Sequence, residues 1–234
     1  MSQLNNYRLS VGTILHTRYS SSIDLLNGEG ATSSFGDCDP LQQALYSDGF
    51  LNRLDADLFH GFQGLLHVPH WARGAALVRL VPLLIFMHGR GEAGHDVAQL
   101  HHPSACGPLH NLSMGRAHPL LQKKFIVAAP QVAVETAANI TSSQIVAFAR
   151  DVIDHVEGLR QESYGRLTID RSRIFISGHS MGGRKAIEVL ASPEGRDFFA
   201  AVMLVGMYGP PLSTEVLQSV GRAPRLQTAR DRPA

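Results

Sequence analysis

Residues 174–183 read IFISGHSMGG, an apolar run that leads into a glycine-rich pattern. A short apolar run ends at Ser177, and the pattern Gly-x-Ser-x-Gly follows it directly as GHSMG. Where this pattern joins a strand to a helix, it is typical of a sharp turn that exposes a serine hydroxyl at the end of a sheet. We therefore predict a strand, a tight turn at Ser180 and a helix directly after it. Gly178 and Gly182 are expected to leave room where the strand and helix backbones approach each other.

Apolar runs on either side of this stretch predict further strands. Each run is short, rich in aliphatic residues and ended by Gly, Pro or another small residue, which is typical of strands buried on both faces. The five runs are residues 64–69 (GLLHVP), 81–89 (VPLLIFMHG), 125–130 (FIVAAP), 174–177 (IFIS) and 200–206 (AAVMLVG). Helices are predicted between them, one after a capping-box pattern at Thr141 and Gln144 and one after Ser180. Strands that alternate with helices indicate an α/β fold with a doubly wound, mostly parallel sheet.

The two ends of the chain carry weaker signals. Residues 1–60 are predicted to be an N-terminal extension with a peripheral strand at residues 7–15 and a short helix at residues 41–54. The α/β core is predicted to span residues 61–207. Residues 208–234, in which arginines are scattered among Pro, Gln and Thr, are predicted to be a disordered tail.

Composition and charge exclude several classes of protein. The formal net charge of +1 gives no field that would attract nucleic acid or an acidic membrane. No apolar run approaches the ~20 residues needed to span a bilayer. The N-terminus shows no secretion signal, and the two cysteines, Cys38 and Cys106, fit a reducing compartment better than a disulfide framework. We therefore expect a cytoplasmic protein.

A second glycine-rich motif, His88-Gly89-Arg90-Gly91, directly follows an apolar strand. Backbone N–H groups in such a loop can stabilise the negative charge that develops on a carbonyl oxygen during acyl transfer. The two expected donors of this oxyanion hole are the N–H of Met181, which follows the serine, and the N–H of Arg90. His88 is expected to support the loop and not to transfer a proton. The alternative is a plain glycine turn, but two such motifs, each after its own strand, argue against coincidence.

Three stretches together resemble a known family. Residues 83–94 (LLIFMHGRGEAG), 125–131 (FIVAAPQ) and 166–190 (RLTIDRSRIFISGHSMGGRKAIEVL) are similar to the serine esterases of the phospholipase/carboxylesterase and polyhydroxybutyrate-depolymerase-like branch of the α/β-hydrolases. The resemblance covers roughly residues 64–207. It implies an α/β-hydrolase fold, a small-molecule carboxylic ester or thioester as substrate and no cofactor. It also implies a catalytic Ser, Asp and His in that chain order, with Ser180 as the nucleophile.

The acid and the histidine of that triad are missing from their expected positions. In the family they follow two further strands after the run AAVMLVG, but this chain holds no histidine after His179. The acids downstream of the serine match none of the family's positions. Glu188 is predicted on the helix after Ser180, Glu194 and Asp197 in the loop that follows this helix, and Glu215 and Asp231 in the tail. The chain therefore resembles a C-terminally truncated member that lacks the last strands and helices.

An upstream histidine would have to replace the missing base. His179 flanks the serine, but it is expected to line the pocket. The segment after the second glycine motif could pass near the pocket, and its histidines are His95, His101, His102 and His110. A metal site there would need carboxylate or cysteine ligands that the spacing does not provide, so no metal is expected. Asp154 and His155 are expected on the solvated side of their helix.

Two functions remain open from the sequence. The first is a serine hydrolase for esters or thioesters that lacks its general base. The alternative is a non-catalytic α/β-hydrolase remnant or binding module that keeps the pocket without turnover. In either case residues 200–206 are expected to form the edge of the sheet, and an apolar edge without charge or proline favours self-association.

Overall fold

The computed structural model of the chain describes residues 51–69, 79–105, 107–158, 167–207 and 212–221. Within them, a six-stranded sheet has the order β1-β2-β4-β3-β5-β6. The strands are β1 (Asn52–Leu54), β2 (Gly64–His67), β3 (Arg79–Met87), β4 (Ile126–Pro130), β5 (Leu167–His179) and β6 (Ala201–Val205). β3 is parallel to β4 and β5, and β5 is parallel to β6, whereas β2 is antiparallel to β1 and β4. All five predicted strands are present, so the mostly parallel α/β sheet is confirmed.

Helices cover the sheet on both faces. The α-helices of the described ranges are α1 (Pro108–Ser113), α2 (Pro119–Lys124), α3 (Ser142–Gly158), α4 (Met181–Ala191), α5 (Pro193–Phe198) and α6 (Thr214–Gly221). On one face, Phe148 of α3 and Val189 of α4 join Ile85 of β3 in one buried cluster. On the other face, Leu109 of α1 joins Leu84 of β3 in a second cluster. Because neighbouring residues of β3 enter opposite clusters, the strand is apolar at nearly every position.

The helix α3 begins with the capping box that the sequence predicts. The N–H of Thr141 donates to Oε1 of Gln144 (2.9 Å), and the N–H of Gln144 donates to Oγ1 of Thr141 (3.2 Å). These two bonds satisfy N–H groups that have no partner inside the helix. The apolar side chains at 3.6 spacing are buried, which confirms the predicted helix.

The expectation that Asp154 and His155 lie on the solvated side of α3 is confirmed for Asp154, which is exposed, but is wrong for His155, which is half-buried. Its ring is in an edge-to-face contact with Phe59, with 5.3 Å between the ring centroids. Partial burial lowers the pKa of His155 because desolvation disfavours the charged imidazolium. The connection between β1 and β2 supplies Phe59, and no pattern within α3 could indicate this partner.

Three assignments outside the central strands also need correction. Residues 52–54 form a strand and not the end of a helix. The segment with Glu194 and Asp197 is a short helix, α5, and not a loop. Residues 214–221, predicted to be part of a disordered tail, form α6, in which Val220 packs against the core. The predicted strand at residues 7–15, the rest of the helix at 41–54 and both cysteines lie outside the described residues.

The strand β6 is the last of the sheet within the described residues. Val202 and Leu204 pack against the cluster that contains α3 and α4. The alternate side chains point to the opposite face, where Met203 is 57% exposed and Val205 is 41% exposed. One face of β6 is therefore covered by helices, whereas the other is an exposed apolar surface.

None of the helices described is both long enough and apolar enough to cross a lipid bilayer.

Candidate active site

Ser180 lies on a strained turn between β5 and α4. Its φ is +50° and its ψ is −115°, a combination that residues with a Cβ rarely adopt. Such a conformation costs of the order of 1–3 kcal/mol and persists only when its surroundings impose it. The N–H of Ser180 donates to the carbonyl of Val205 at the end of β6 (3.0 Å), and its own carbonyl accepts from the N–H of Arg184 (3.2 Å). The backbone of the turn is thus fixed on both sides.

The glycines around Ser180 lie where no side chain would fit. A Cβ on Gly178 would lie 2.3 Å from the carbonyl oxygen of Gly182, and a Cβ on Gly182 would lie 2.1 Å from the carbonyl oxygen of Met87. Real Cβ atoms do not approach other atoms this closely. The first turn of α4 is therefore in direct contact with the end of β3, where the second glycine motif begins.

The loop after β3 also touches the residue before the serine. A Cβ on Gly89 would lie 2.7 Å from Nδ1 of His179 and 3.0 Å from Oε2 of Glu92. Gly91, in contrast, has nothing within 4 Å of the position its Cβ would take, so a side chain would fit there. The structure thus brings the two glycine-rich motifs together at the carboxyl ends of β3 and β5.

The two expected oxyanion donors occupy matching positions in their elements. Met181 is the first residue of α4, and Arg90 is the first residue of a 3₁₀ turn, Arg90–Glu92. The first N–H groups of a helical segment have no acceptor inside that segment. Both N–H groups are therefore without an acceptor inside their own helical segments.

His88 supports the loop through both ring nitrogens. The N–H of Val132 donates to Nε2 of His88 (2.9 Å), and because Nε2 accepts, Nδ1 carries the proton and donates to the carbonyl of Gly89 (2.8 Å). Burial lowers the pKa of His88, since desolvation outweighs the hydrogen bond to Gly89 and the nearby charge of Glu92. A neutral histidine that is bonded on both sides has no free nitrogen for proton transfer.

His179 is the histidine nearest to the serine in sequence. Its ring lies between Gly89 and Gly206, and Nδ1 is buried without a hydrogen-bond partner in the described part of the chain. The side chain fills the space between the two loops that flank the turn.

The histidines after the second glycine motif have partners elsewhere. His95 bonds to Glu135 (2.7 Å), His102 to Ser104 (2.7 Å), and His110 to the carbonyl of His101 (2.9 Å). In the ranges described, none of His95, His102 and His110 is hydrogen-bonded to Ser180, and no group of three or more His, Cys, Asp or Glu side chains is arranged to hold a metal ion.

The acids just after the serine are also engaged on the surface. Glu188 forms ion pairs with Arg184 (3.3 Å) and Lys185 (3.1 Å) on α4. Glu194 accepts a hydrogen bond from the hydroxyl of Ser143 (2.6 Å). Glu188 and Glu194 thus bind side chains of the helical layer.

The sequence analysis did not identify Gln131 as part of this site. It follows β4, is 6% exposed and donates hydrogen bonds to the loop that carries Arg90. The sequence signal was the Pro-Gln pair after a buried strand, which was used only for the family resemblance.

A cavity of about 540 Å³ lies at the other end of the sheet. Its walls are formed by Leu80, Val81, Pro82, Leu120, Lys124, Phe125, Arg173 and Phe175. Phe175 precedes Ser180 by five residues of β5, which is roughly 17 Å along an extended strand. This cavity is therefore separate from the turn that carries the serine.

Comparison with known proteins gives structural likenesses only. No family model matches the chain, and no curated protein matches it. A thermostable esterase matches with a TM-score of 0.49 and 22% identity, over 78% of this chain and 46% of its own. A bacterial heroin esterase matches with a TM-score of 0.44 and 22% identity, over 70% and 50% of the two chains. The S-formylglutathione hydrolase of Staphylococcus aureus has a TM-score of 0.41 and 22% identity, over 64% and 53%.

The chain thus spans about half the length of the solved structures it resembles. At these identities the likenesses concern the fold and assign no catalytic residue.

Proposed function

We propose that the chain is a serine hydrolase of the α/β-hydrolase type that acts on small carboxylic esters or thioesters. The observation that carries the proposal is the strained backbone of Ser180, held at the carboxyl end of β5 against the loop that contains Arg90. Such strain is typical of a turn that exposes a nucleophile, and the proposed donors, the N–H groups of Met181 and Arg90, have no acceptor inside their own helical segments.

In the proposed reaction, Oγ of Ser180 attacks the carbonyl carbon of the substrate. The new Oγ–C bond forms as the carbonyl oxygen becomes negatively charged, and the N–H groups of Met181 and Arg90 bind that oxygen. The leaving alcohol or thiol then departs with its bonding electron pair and takes up a proton, and water hydrolyses the acyl-serine. One hole donor of this kind is worth about 10²–10³ in rate.

The described residues supply no side-chain base for the proton of the serine hydroxyl, so in the proposed reaction this proton passes to solvent water as the Oγ–C bond forms. His88 is bonded on both sides, and no histidine follows His179 in the sequence. A site with nucleophile and hole alone is expected to retain about 10³–10⁴-fold acceleration over water. We therefore propose a slow hydrolase for the chain by itself.

A second candidate is a non-catalytic binding module that keeps the pocket of a hydrolase. It is favoured by the hydroxyl of Ser180, which has no hydrogen-bond partner in the part of the chain that the structure describes. This module would bind an acyl compound without cleaving it.

Hydrolysis of p-nitrophenyl acetate by the chain and by Ser180→Ala separates the two candidates. A hydrolase shows slow cleavage that is lost in the variant, together with labelling of Ser180 by a fluorophosphonate probe. Equal rates for the two proteins would refute the hydrolase and leave the binding module.

A further inference from the structure

The side chain of Gln131 lies beneath the loop that carries Arg90. It is buried, and its Nε2 donates to the carbonyl of Glu92 (2.8 Å) and to the carbonyl of Gly94 (3.1 Å). Of the two ends of the amide, only the nitrogen can donate, so the two carbonyls fix the orientation of the side chain.

These two carbonyls lie at the end of the turn that presents Arg90. The 3₁₀ turn closes when the N–H of Glu92 donates to the carbonyl of Gly89 (3.3 Å). The last carbonyls of a helical segment have no partner inside it, and here the side-chain amide of Gln131 donates to the carbonyls at the end of the turn. The N–H of Gly94 also donates to the carbonyl of Val132 (3.0 Å), next to Gln131.

The start of the same loop is tied to Val132, the residue after Gln131. The ring of His88 joins the carbonyl of Gly89 to the N–H of Val132. The backbone after β4 is held in turn, because the N–H of Gln131 donates to the carbonyl of Gln63 (2.7 Å). Arg90 thus lies between two anchor points, of which the first leads to Val132 and the second to both Gln131 and Val132.

We propose that Gln131 is a positioning residue that fixes the N–H of Arg90 as an oxyanion donor. This role rests on the proposed function, and Gln131 itself touches no substrate in it. Because a displacement of about 1 Å in a reacting group can cost ~10²-fold in rate, loss of the anchor lowers the rate of the chemical step without weakening substrate binding.

The test compares Gln131→Leu with a matched control, Ser113→Ala. Leucine has nearly the same volume as glutamine but cannot donate to Glu92 and Gly94. The hydroxyl of Ser113 is also buried and donates to a backbone carbonyl, that of His110 (2.7 Å), in another part of the fold. Ester cleavage is measured with the full chain, together with thermal melting and hydrogen–deuterium exchange of the amides of residues 89–94.

In Gln131→Leu we expect kcat to fall about 10–100-fold with KM unchanged, and faster exchange confined to residues 89–94. In Ser113→Ala we expect a lower melting temperature with unchanged kcat and KM. An unchanged kcat in a folded Gln131→Leu, or equal losses in both variants, would overturn the positioning role. Cleavage that survives Ser180→Ala would instead overturn the proposed function, and with it any catalytic role for Gln131.

Discussion

The strained backbone of Ser180 predicts that a glycine at this position stabilises the fold. Glycine adopts the observed φ of +50° and ψ of −115° readily, whereas alanine keeps the Cβ that makes this conformation costly. The side chain of Ser180 makes no capping hydrogen bond, so both substitutions remove the same hydroxyl and nothing else of structural value. The difference between Ser180→Gly and Ser180→Ala therefore isolates the backbone strain.

The size of the effect follows from two opposing contributions. The strain is about 1–3 kcal/mol, and the greater flexibility of glycine in the unfolded chain offsets about 0.4–1 kcal/mol of it. We expect the free energy of unfolding of Ser180→Gly to exceed that of Ser180→Ala by up to about 2.6 kcal/mol. For a chain of this size, this corresponds to a melting temperature higher by up to about 10 °C.

Urea denaturation followed by circular dichroism measures the difference, and Ser143 provides the control. Ser143 lies within α3, where glycine is less stable than alanine by about 1 kcal/mol. We therefore expect Ser180→Gly to have a higher free energy of unfolding than Ser180→Ala. At position 143 we expect the reverse, with Ser143→Ala more stable than Ser143→Gly. If alanine were also the more stable residue at position 180, the strain argument for a nucleophile turn would be refuted.

Three further predictions concern reactivity, pH and association. A fluorophosphonate probe is expected to label Ser180 about 10⁴-fold or more slowly than it labels the serine of a complete triad. Labelling at the rate of a complete triad that is lost in Ser180→Ala would contradict the prediction that the catalytic base is missing. The unfolding free energy is expected to fall as the pH drops below about 6.5, because burial lowers the pKa of His88 and His155 and the unfolded chain then binds more protons. This slope should be smaller in His155→Gln, and an identical slope would exclude His155 as a source. Finally, we expect the chain to self-associate through β6 at micromolar concentrations. Met203→Lys should reduce this association, whereas Leu58→Lys should not. Sedimentation of the unmodified chain as a monomer would refute the prediction.

The central strands were predictable because the sequence encodes their burial directly. Strands such as β3 and β4 are covered on both faces, so their residues form unbroken apolar runs that end at Gly, His or Pro. The glycines of the Ser180 turn were also predictable, since a Cβ on Gly178 or Gly182 would lie only 2.1–2.3 Å from a backbone oxygen. Where one residue type is physically required, the sequence reveals the structure.

The features that were missed depend on contacts between distant segments. His155 has the same spacing as a surface residue of α3, and its contact with Phe59 comes from the connection between β1 and β2. Gln131 acts on carbonyls 37 and 39 residues away, which no local pattern contains. The helix α6 was missed for another reason, since the arginine- and proline-rich residues after it dominate the composition of the segment. Ser213, which accepts from the N–H of Val216 (3.3 Å), was the available signal for its start.

The hydrogen bond from the N–H of Ser180 to the carbonyl of Val205 joins the turn of the proposed nucleophile to the outermost described strand. Val205 ends β6, whose other long edge is the surface on which a further strand would pair. A molecule that pairs there and shifts the end of β6 changes the position of the backbone that holds the serine. By reciprocity, an acyl group on Ser180 that alters this hydrogen bond changes the affinity of β6 for its partner by the same factor. A measured change in the affinity of β6 for its partner would then indicate whether Ser180 is acylated. Likewise, pairing at β6 would change the rate at which Ser180 is acylated.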